Sequence, residues 1–96
     1  MNPKPANKKA ERRTEPRRPA QGDVRVEWGS PAISLDGRLK DMSPSGFRMV
    51  HQSKDLAAGQ LVSFMHFSGR GLARVVWTRI VGASVESGFL VVQAEG

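Results

Sequence analysis

The sequence contains no cysteine, which excludes disulfides and thiolate metal sites and leaves the redox compartment open. Histidine is scarce: His51 and His66 are the only two, and they are too scattered to read as a metal or catalytic cluster. No apolar run approaches the ~18–20 residues that a membrane-spanning helix needs. The basic N-terminus lacks the apolar stretch of a secretory signal, so a cytoplasmic protein without a membrane span is the expectation. There is no Gly-rich phosphate loop of the Walker type, and "SGRG" (68–71) reads as a hairpin turn. Ser43 has no histidine beside it, and the acidic residues are scattered over strand and turn patterns. With no catalytic constellation and no metal site, the chain is expected not to be an enzyme. Its 96 residues are enough for one small domain with a modest core.

What the chain does have is positive charge in one place. Residues 1–19 carry seven basic side chains against two acidic ones, a net +5. The remainder, with eight basic and seven acidic, is nearly neutral at +1. Such asymmetry suggests an anionic partner for the tail. Proline at positions 3, 5, 16 and 19 interrupts any helix there. Residues 1–20 are therefore expected to be a flexible basic tail that orders only when something binds it, with a folded domain over residues 21–96.

In that second part the apolar residues alternate. "DVRVEW" sets Val24, Val26 and Trp28 against Arg25 and Glu27, the pattern of a half-buried strand. "AISLDGRLKDM" (32–42) alternates Ile33, Leu35, Gly37 and Leu39 against polar neighbours, as one long strand or as a hairpin turning at Asp36-Gly37. "FRMV" is a short strand, and "HQSKDLAAG" a connection with room for one helical turn. "QLVSFMHF" alternates again. "LARVVWTRIV" places Ala73, Val75 and Trp77 on one face. "GASVESG" reads as a turn and "FLVVQ" as a closing strand. About six short strands with no convincing helix predict an all-β fold, a small six-stranded antiparallel barrel or sandwich, with the barrel favoured because closure removes exposed edges.

Two short stretches carry chemistry. "RTEPR" is R-x-x-x-R through Arg13 and Arg17, and "DMSPSG" is D-x-S-x-x-G through Asp41, Ser43 and Gly46. Guanidinium forks match phosphate oxygens and the O6/N7 edge of guanine. A carboxylate accepts from guanine N1–H and N2–H₂, a hydroxyl donates to phosphate, and a glycine lets a base approach the backbone. Each stretch alone has a plainer reading, the first as a solvated basic tail and the second as a turn in which Asp and Ser bond nearby backbone. Together, in this order and about one hairpin apart, they resemble the PilZ family, whose members bind the bacterial second messenger cyclic di-GMP. The likeness covers residues 11–92 and extends to "ARVVW" and to Gly88-Phe89.

The resemblance implies a PilZ-like barrel that receives cyclic di-GMP and relays the signal to an unidentified partner protein in motility, adhesion or exopolysaccharide control. It implies that Arg13 and Arg17 wrap the ligand, that Asp41 holds a guanine, and that Ser43 and Gly46 contact or admit it. Trp77 packs beside the ligand or in the core. Arg12, just before the first motif, is the position that in PilZ-like domains bears on whether one ligand or a stacked pair binds, and an arginine there goes with the pair. Two departures from the family stand out: the second arginine is followed by "RP" rather than by an apolar strand start, and the sequence ends just after the last predicted strand. Two rivals remain: a nucleic-acid-binding barrel with a basic arm, and a PilZ-like module that binds only protein. The first explains the charge but leaves "DMSPSG" unused, and it predicts stacking aromatics on an exposed sheet face, whereas the four Phe and two Trp fall mostly on predicted core faces.

Overall fold

The computed structural model of the protein describes residues 16–95. Among them are seven strands and no helix: β1 (Arg18–Pro19), β2 (Asp23–Trp28), β3 (Ile33–Ser43), β4 (Gly46–His51), β5 (Leu61–His66), β6 (Gly69–Val81) and β7 (Ser84–Glu95). The alternating apolar residues explain the closure. Val24, Val26, Met49, Val62, Phe64, Val75 and Phe89 all point to one side and are nearly inaccessible to water. A sheet with one such face must cover it, and here the sheet curls onto itself. The ring runs β2–β5–β6–β7–β4–β3 and returns to β2, with every pairing antiparallel. The chain is a closed six-stranded antiparallel barrel, with β1 as an extra strand on β3. Phe47 lies at the centre, stacked on Phe89 with ring centroids 4.7 Å apart and tilted on Phe64 at 5.0 Å.

The stretch 33–43 is one strand. Its first half pairs with β2 through Asp23↔Arg38, and its second half with β4, so no hairpin turns at Asp36-Gly37. Two-residue turns close three hairpins at Pro44-Ser45, Phe67-Ser68 and Gly82-Ala83. Consequently "SGRG" is not the turn: β6 already begins at Gly69, directly opposite His66. Strand β7 likewise starts at Ser84, within the stretch expected to be a turn. The 52–60 connection is irregular and contains no helical turn.

The barrel also begins earlier than composition suggests. Arg18 and Pro19 pair with Met42 and Asp41, and the Ala20 N–H donates to the Lys40 carbonyl at 3.1 Å. Ala20 packs against the core. Residues 18–20, assigned by composition to the tail, therefore lie on β3, and the Arg17 side chain reaches it. The expectation for residues 1–15 falls outside the described residues.

The ladder has three bulges, one of them at Val92 on β7, and the other two change which side chains face out on β3 and β6. On β3, Leu39 sits opposite Met49 but Asp41 sits opposite Arg48, so Lys40 is the extra residue. On β6, Val75 sits opposite Phe89 but Trp77 sits opposite Gly88, so Val76 is extra. An added residue reverses the face of everything after it. Leu39 and Val75 stay in the core, while Asp41 and Trp77 turn to the outer wall. This corrects the simple alternation, which had grouped Trp77 with Ala73 and Val75.

Candidate functional site

The outer wall of β3, β4, β7 and β6 carries a continuous row of side chains. Register places Asp41 beside Arg48, Arg48 beside Gly88, and Gly88 beside Trp77. The next row holds Ser43, Gly46 and Leu90. Arg17, just before β1, reaches over the top.

Asp41 is the hub. Arg48 Nε donates to both carboxylate oxygens at 2.9 Å, and its Nη2 also reaches Oδ2. Arg17 donates to Oδ1 from Nε at 3.2 Å and from Nη2 at 3.1 Å. Its third nitrogen, Nη1, lies 3.4 Å from Ser43 Oγ. The Asp41 side chain is only 10% exposed, Arg48 27% and Arg17 40%. Hydrogen bonds from Arg48 hold the Asp41 carboxyl below the usual carboxylate range, with Arg17 adding to the effect against the opposing cost of burial. Asp41 in turn raises the Arg48 guanidinium.

Beside this cluster lies a cavity of about 360 Å³ bordered by Arg17, Arg48, Gly46, Leu90, Gly88 and Trp77. Its floor is glycine because nothing larger fits. A Cβ on Gly88 would lie 2.5 Å from Trp77 Cε2, so the indole rests directly on the bare backbone. A Cβ on Gly46 would lie 2.2 Å from the Phe89 carbonyl oxygen, so this glycine serves close strand approach rather than a positive φ. Trp77 is half-buried and capped by the Arg79 guanidinium, 4.6 Å from the ring. Arg79 also faces Glu86 at 3.6 Å, and Lys40 holds the same carboxylate at 2.7 Å.

Of the residues singled out from sequence, Arg17, Asp41 and Ser43 are in direct contact, and Gly46 and Trp77 border the adjoining cavity. Arg12 and Arg13 lie outside the described residues. Sequence reading missed Arg48, and it noted Gly88 in the family likeness without placing it at the site. Arg48 was accessible in principle: a two-residue turn at Pro44-Ser45 pairs Ser43 with Gly46 and so Asp41 with Arg48. Gly88 needed the bulge in β6, which leaves no mark in the alternation.

The two histidines are placed differently. The Ser53 N–H donates to His51 Nδ1 at 3.1 Å, which leaves Nε2 to donate to Ser87 Oγ at 2.7 Å, and Ser87 shares its hydroxyl with Thr78 Oγ1 at 2.7 Å. His51 is buried in this chain of bonds, and burial lowers its basicity. His66 packs edge-on against Phe47. Among the described residues no three His, Asp or Glu side chains gather to hold a metal ion, and no helix is long and apolar enough to cross a membrane.

Chemically the site offers two guanidinium groups around one carboxylate, a hydroxyl, a bare backbone floor and an indole wall. That set suits a ligand with a flat ring and an anionic group. No family model matches the chain, and no curated protein matches it.

Proposed function

We propose that the chain is a cyclic di-GMP receptor of the PilZ type that relays the signal to a partner protein. The observation that carries this reading is the contact of Arg17 with both Asp41 and Ser43. Residues 24 and 26 positions apart, from two separate motifs, meet on the outer wall beside a cavity with a glycine floor and a tryptophan edge.

On this reading, binding requires a change at Asp41. A carboxylate has about four acceptor positions, and on Asp41 they are filled by Arg17 and Arg48. For Asp41 to accept from guanine N1–H and N2–H₂, one arginine has to leave. Arg17 is the one that can, being more exposed, just before the shortest strand, and bound to a single carboxylate oxygen. In this mechanism Arg17 moves from Asp41 to the guanine O6/N7 edge or to a phosphate, and Arg48 stays to hold the carboxylate in plane. Trp77 offers its free edge to the base, and Gly46 and Gly88 allow the ring to lie near the backbone. Arg12 and Arg13 supply further guanidinium groups for the two phosphates. Movement of the segment around Arg17 then becomes the output that a partner reads.

Calorimetry with cyclic di-GMP, with GTP and single-stranded DNA as controls, tests the reading. Loss of an arginine fork or of its carboxylate counterpart costs roughly 1–3 kcal/mol, up to about a hundredfold in affinity. Arg17→Ala and Asp41→Ala should each weaken binding within that range. If both bind as wild type does, the site is wrongly assigned. If DNA of arbitrary sequence binds more tightly than cyclic di-GMP, the nucleic-acid reading replaces this one. A saturating titration that gives a ratio near two, falling to one in Arg12→Leu, would establish a stacked ligand pair; a wild-type ratio of one would exclude it.

A further inference from the structure

A barrel closes its edges only where neighbouring strands are equally long. Here they are not. Strand β5 ends at Leu61, opposite Arg74. The irregular chain before it adds two more bonds, from the Gly59 N–H to the Val75 carbonyl at 2.7 Å and from the Val75 N–H to the Gln60 carbonyl at 2.9 Å. Strand β6 continues to Val81, paired with β7 on one side only. Among the described residues, nothing pairs with the other edge of residues 76–81. That is six residues of open backbone, roughly 20 Å long at strand rise.

Natural sheets protect such edges with proline, charge, bulges or a covering loop. This edge carries the bulge at Val76 and the charge of Arg79 but no proline, and it is not short. Val76 and Ile80 on it are 53% and 62% exposed. A groove of about 580 Å³ runs between the edge and the 52–60 connection, with Leu56 in its wall. Its charged side chains are Lys54 and Arg79, and no acidic side chain lines it. Asp55 is exposed beside Lys54, and Glu86 is already held by Lys40 and Arg79.

We infer that the open edge of β6 is a docking site for an extended, acidic-flanked apolar segment of a partner protein, which adds to the barrel as a further strand. Unpaired N–H and C=O groups supply backbone bonds, and pockets beside alternate positions supply selectivity. The cations choose the occupant. An acidic segment meets Lys54 and Arg79 with opposite charge. A second copy of this chain would bring the same two cations, and no acid from the same lining, into a groove that already holds two, and like-charge juxtaposition is costly. The inference does not depend on cyclic di-GMP.

The test is an NMR titration of the full chain with a synthetic capped peptide, Asp-Val-Ile-Val-Asp. Two controls accompany it: the same peptide N-methylated at alternate backbone nitrogens, and one with lysine at both ends. The expected result is shift changes and slowed amide exchange confined to residues 76–81 and 54–58. Methylation should weaken binding at least tenfold, and the lysine ends severalfold. Arg79→Glu should reverse the charge preference, a readout that mere loss of folding does not produce. Ile80→Glu, at an exposed position, should abolish peptide binding while the dispersion of the remaining amide signals persists. Binding elsewhere, or indifference to methylation, overturns the inference. So does slow exchange, in the free chain, of those amides of residues 76–81 that do not bond to β7, or concentration-dependent association removed by Ile80→Glu, which would make the occupant a second copy.

Discussion

The Asp41–Arg48 pair should be the strongest polar coupling on the outer wall, and its size follows from its surroundings. Exposed ion pairs contribute about 0.2–1 kcal/mol, whereas breaking a buried pair costs about 3–5 kcal/mol. Asp41 is 10% exposed and Arg48 27%, and Arg48 Nε lies 2.9 Å from both oxygens. The pair lies between those limits, and a double-mutant cycle of Asp41→Asn and Arg48→Ala should return a coupling of about 2 kcal/mol. In a domain of this size, that corresponds to roughly 8–16 °C in melting temperature. The cycle with Arg17→Ala should return less than about 1 kcal/mol, because Arg17 is 40% exposed and more screened. Urea denaturation followed by tryptophan fluorescence measures both. Acid gives an independent check. The Asp41 carboxyl is held below its ordinary value in the folded chain, so its contribution is complete above about pH 4 and is lost as pH falls through the lowered folded value. Glu86 is lowered too, by Lys40 first and then by Arg79, so the wild type must be compared with Asp41→Asn to isolate Asp41. The stability difference between them should shrink only below about pH 4. Equal couplings for Arg48 and Arg17, or a difference that already declines at pH 6, would refute the assignment of Asp41 as the hub.

Three further outcomes follow from the same structure. Gly88→Ala should displace the indole of Trp77, since its Cβ would fall 2.5 Å from the ring; a shifted emission maximum would show it, and under the proposed function cyclic di-GMP binding should weaken. Phe47→Ala should cost about 3–5 kcal/mol, because Phe47 is 1% exposed and packed on both Phe64 and Phe89; chemical denaturation measures this. His51 is held below its ordinary value by burial, so its contribution to stability is complete above about pH 6.5 and declines as pH falls toward the folded value; an NMR titration of the His51 ring with a midpoint at or above the free value would contradict this.

Much of the fold was legible because burial writes itself into alternation. Val24, Val26, Val62, Phe64 and Val75 all stand in period-two runs and all point inward. The strand ends were less legible. "SGRG" and "GASVESG" look like turns by composition, yet a two-residue turn needs so little chain that glycine and serine spill into the flanking strands. Arg17, Asp41, Ser43 and Gly46 were singled out because the two short motifs that hold them resemble a known pair in order and spacing, and Arg17, Asp41 and Ser43 do meet in the folded chain. The faces they occupy could not. Alternation from Ile33 through Leu39 would carry Asp41 into the core and leave a carboxylate among phenylalanines. The bulge at Lys40 prevents that, and Lys40 itself is an ordinary residue whose extra place in the ladder appears only when Met49 and Arg48 are seen opposite it. Trp77 was misplaced for the same reason, through Val76.

The bulges also determine how this molecule can change over time. On β4 and β7, residues that hold the barrel together and residues that border the cavity alternate along the same backbone: Phe47, Met49 and Phe89 inward, Gly46, Arg48 and Gly88 outward. A substitution at Arg48 leaves Phe47 and Met49 in place, so the outer wall can change its charge while the core persists; Gly46 and Gly88 lack that freedom, since a Cβ there meets the Phe89 carbonyl or the Trp77 ring. Insertions behave oppositely. One residue added within β4 would exchange the sets, turning phenylalanine to water and arginine to the interior. Strands β4 and β7 should therefore accept almost no single-residue insertions or deletions; the places that already accommodate an extra residue are Lys40 on β3, Val76 on β6 and Val92 on β7.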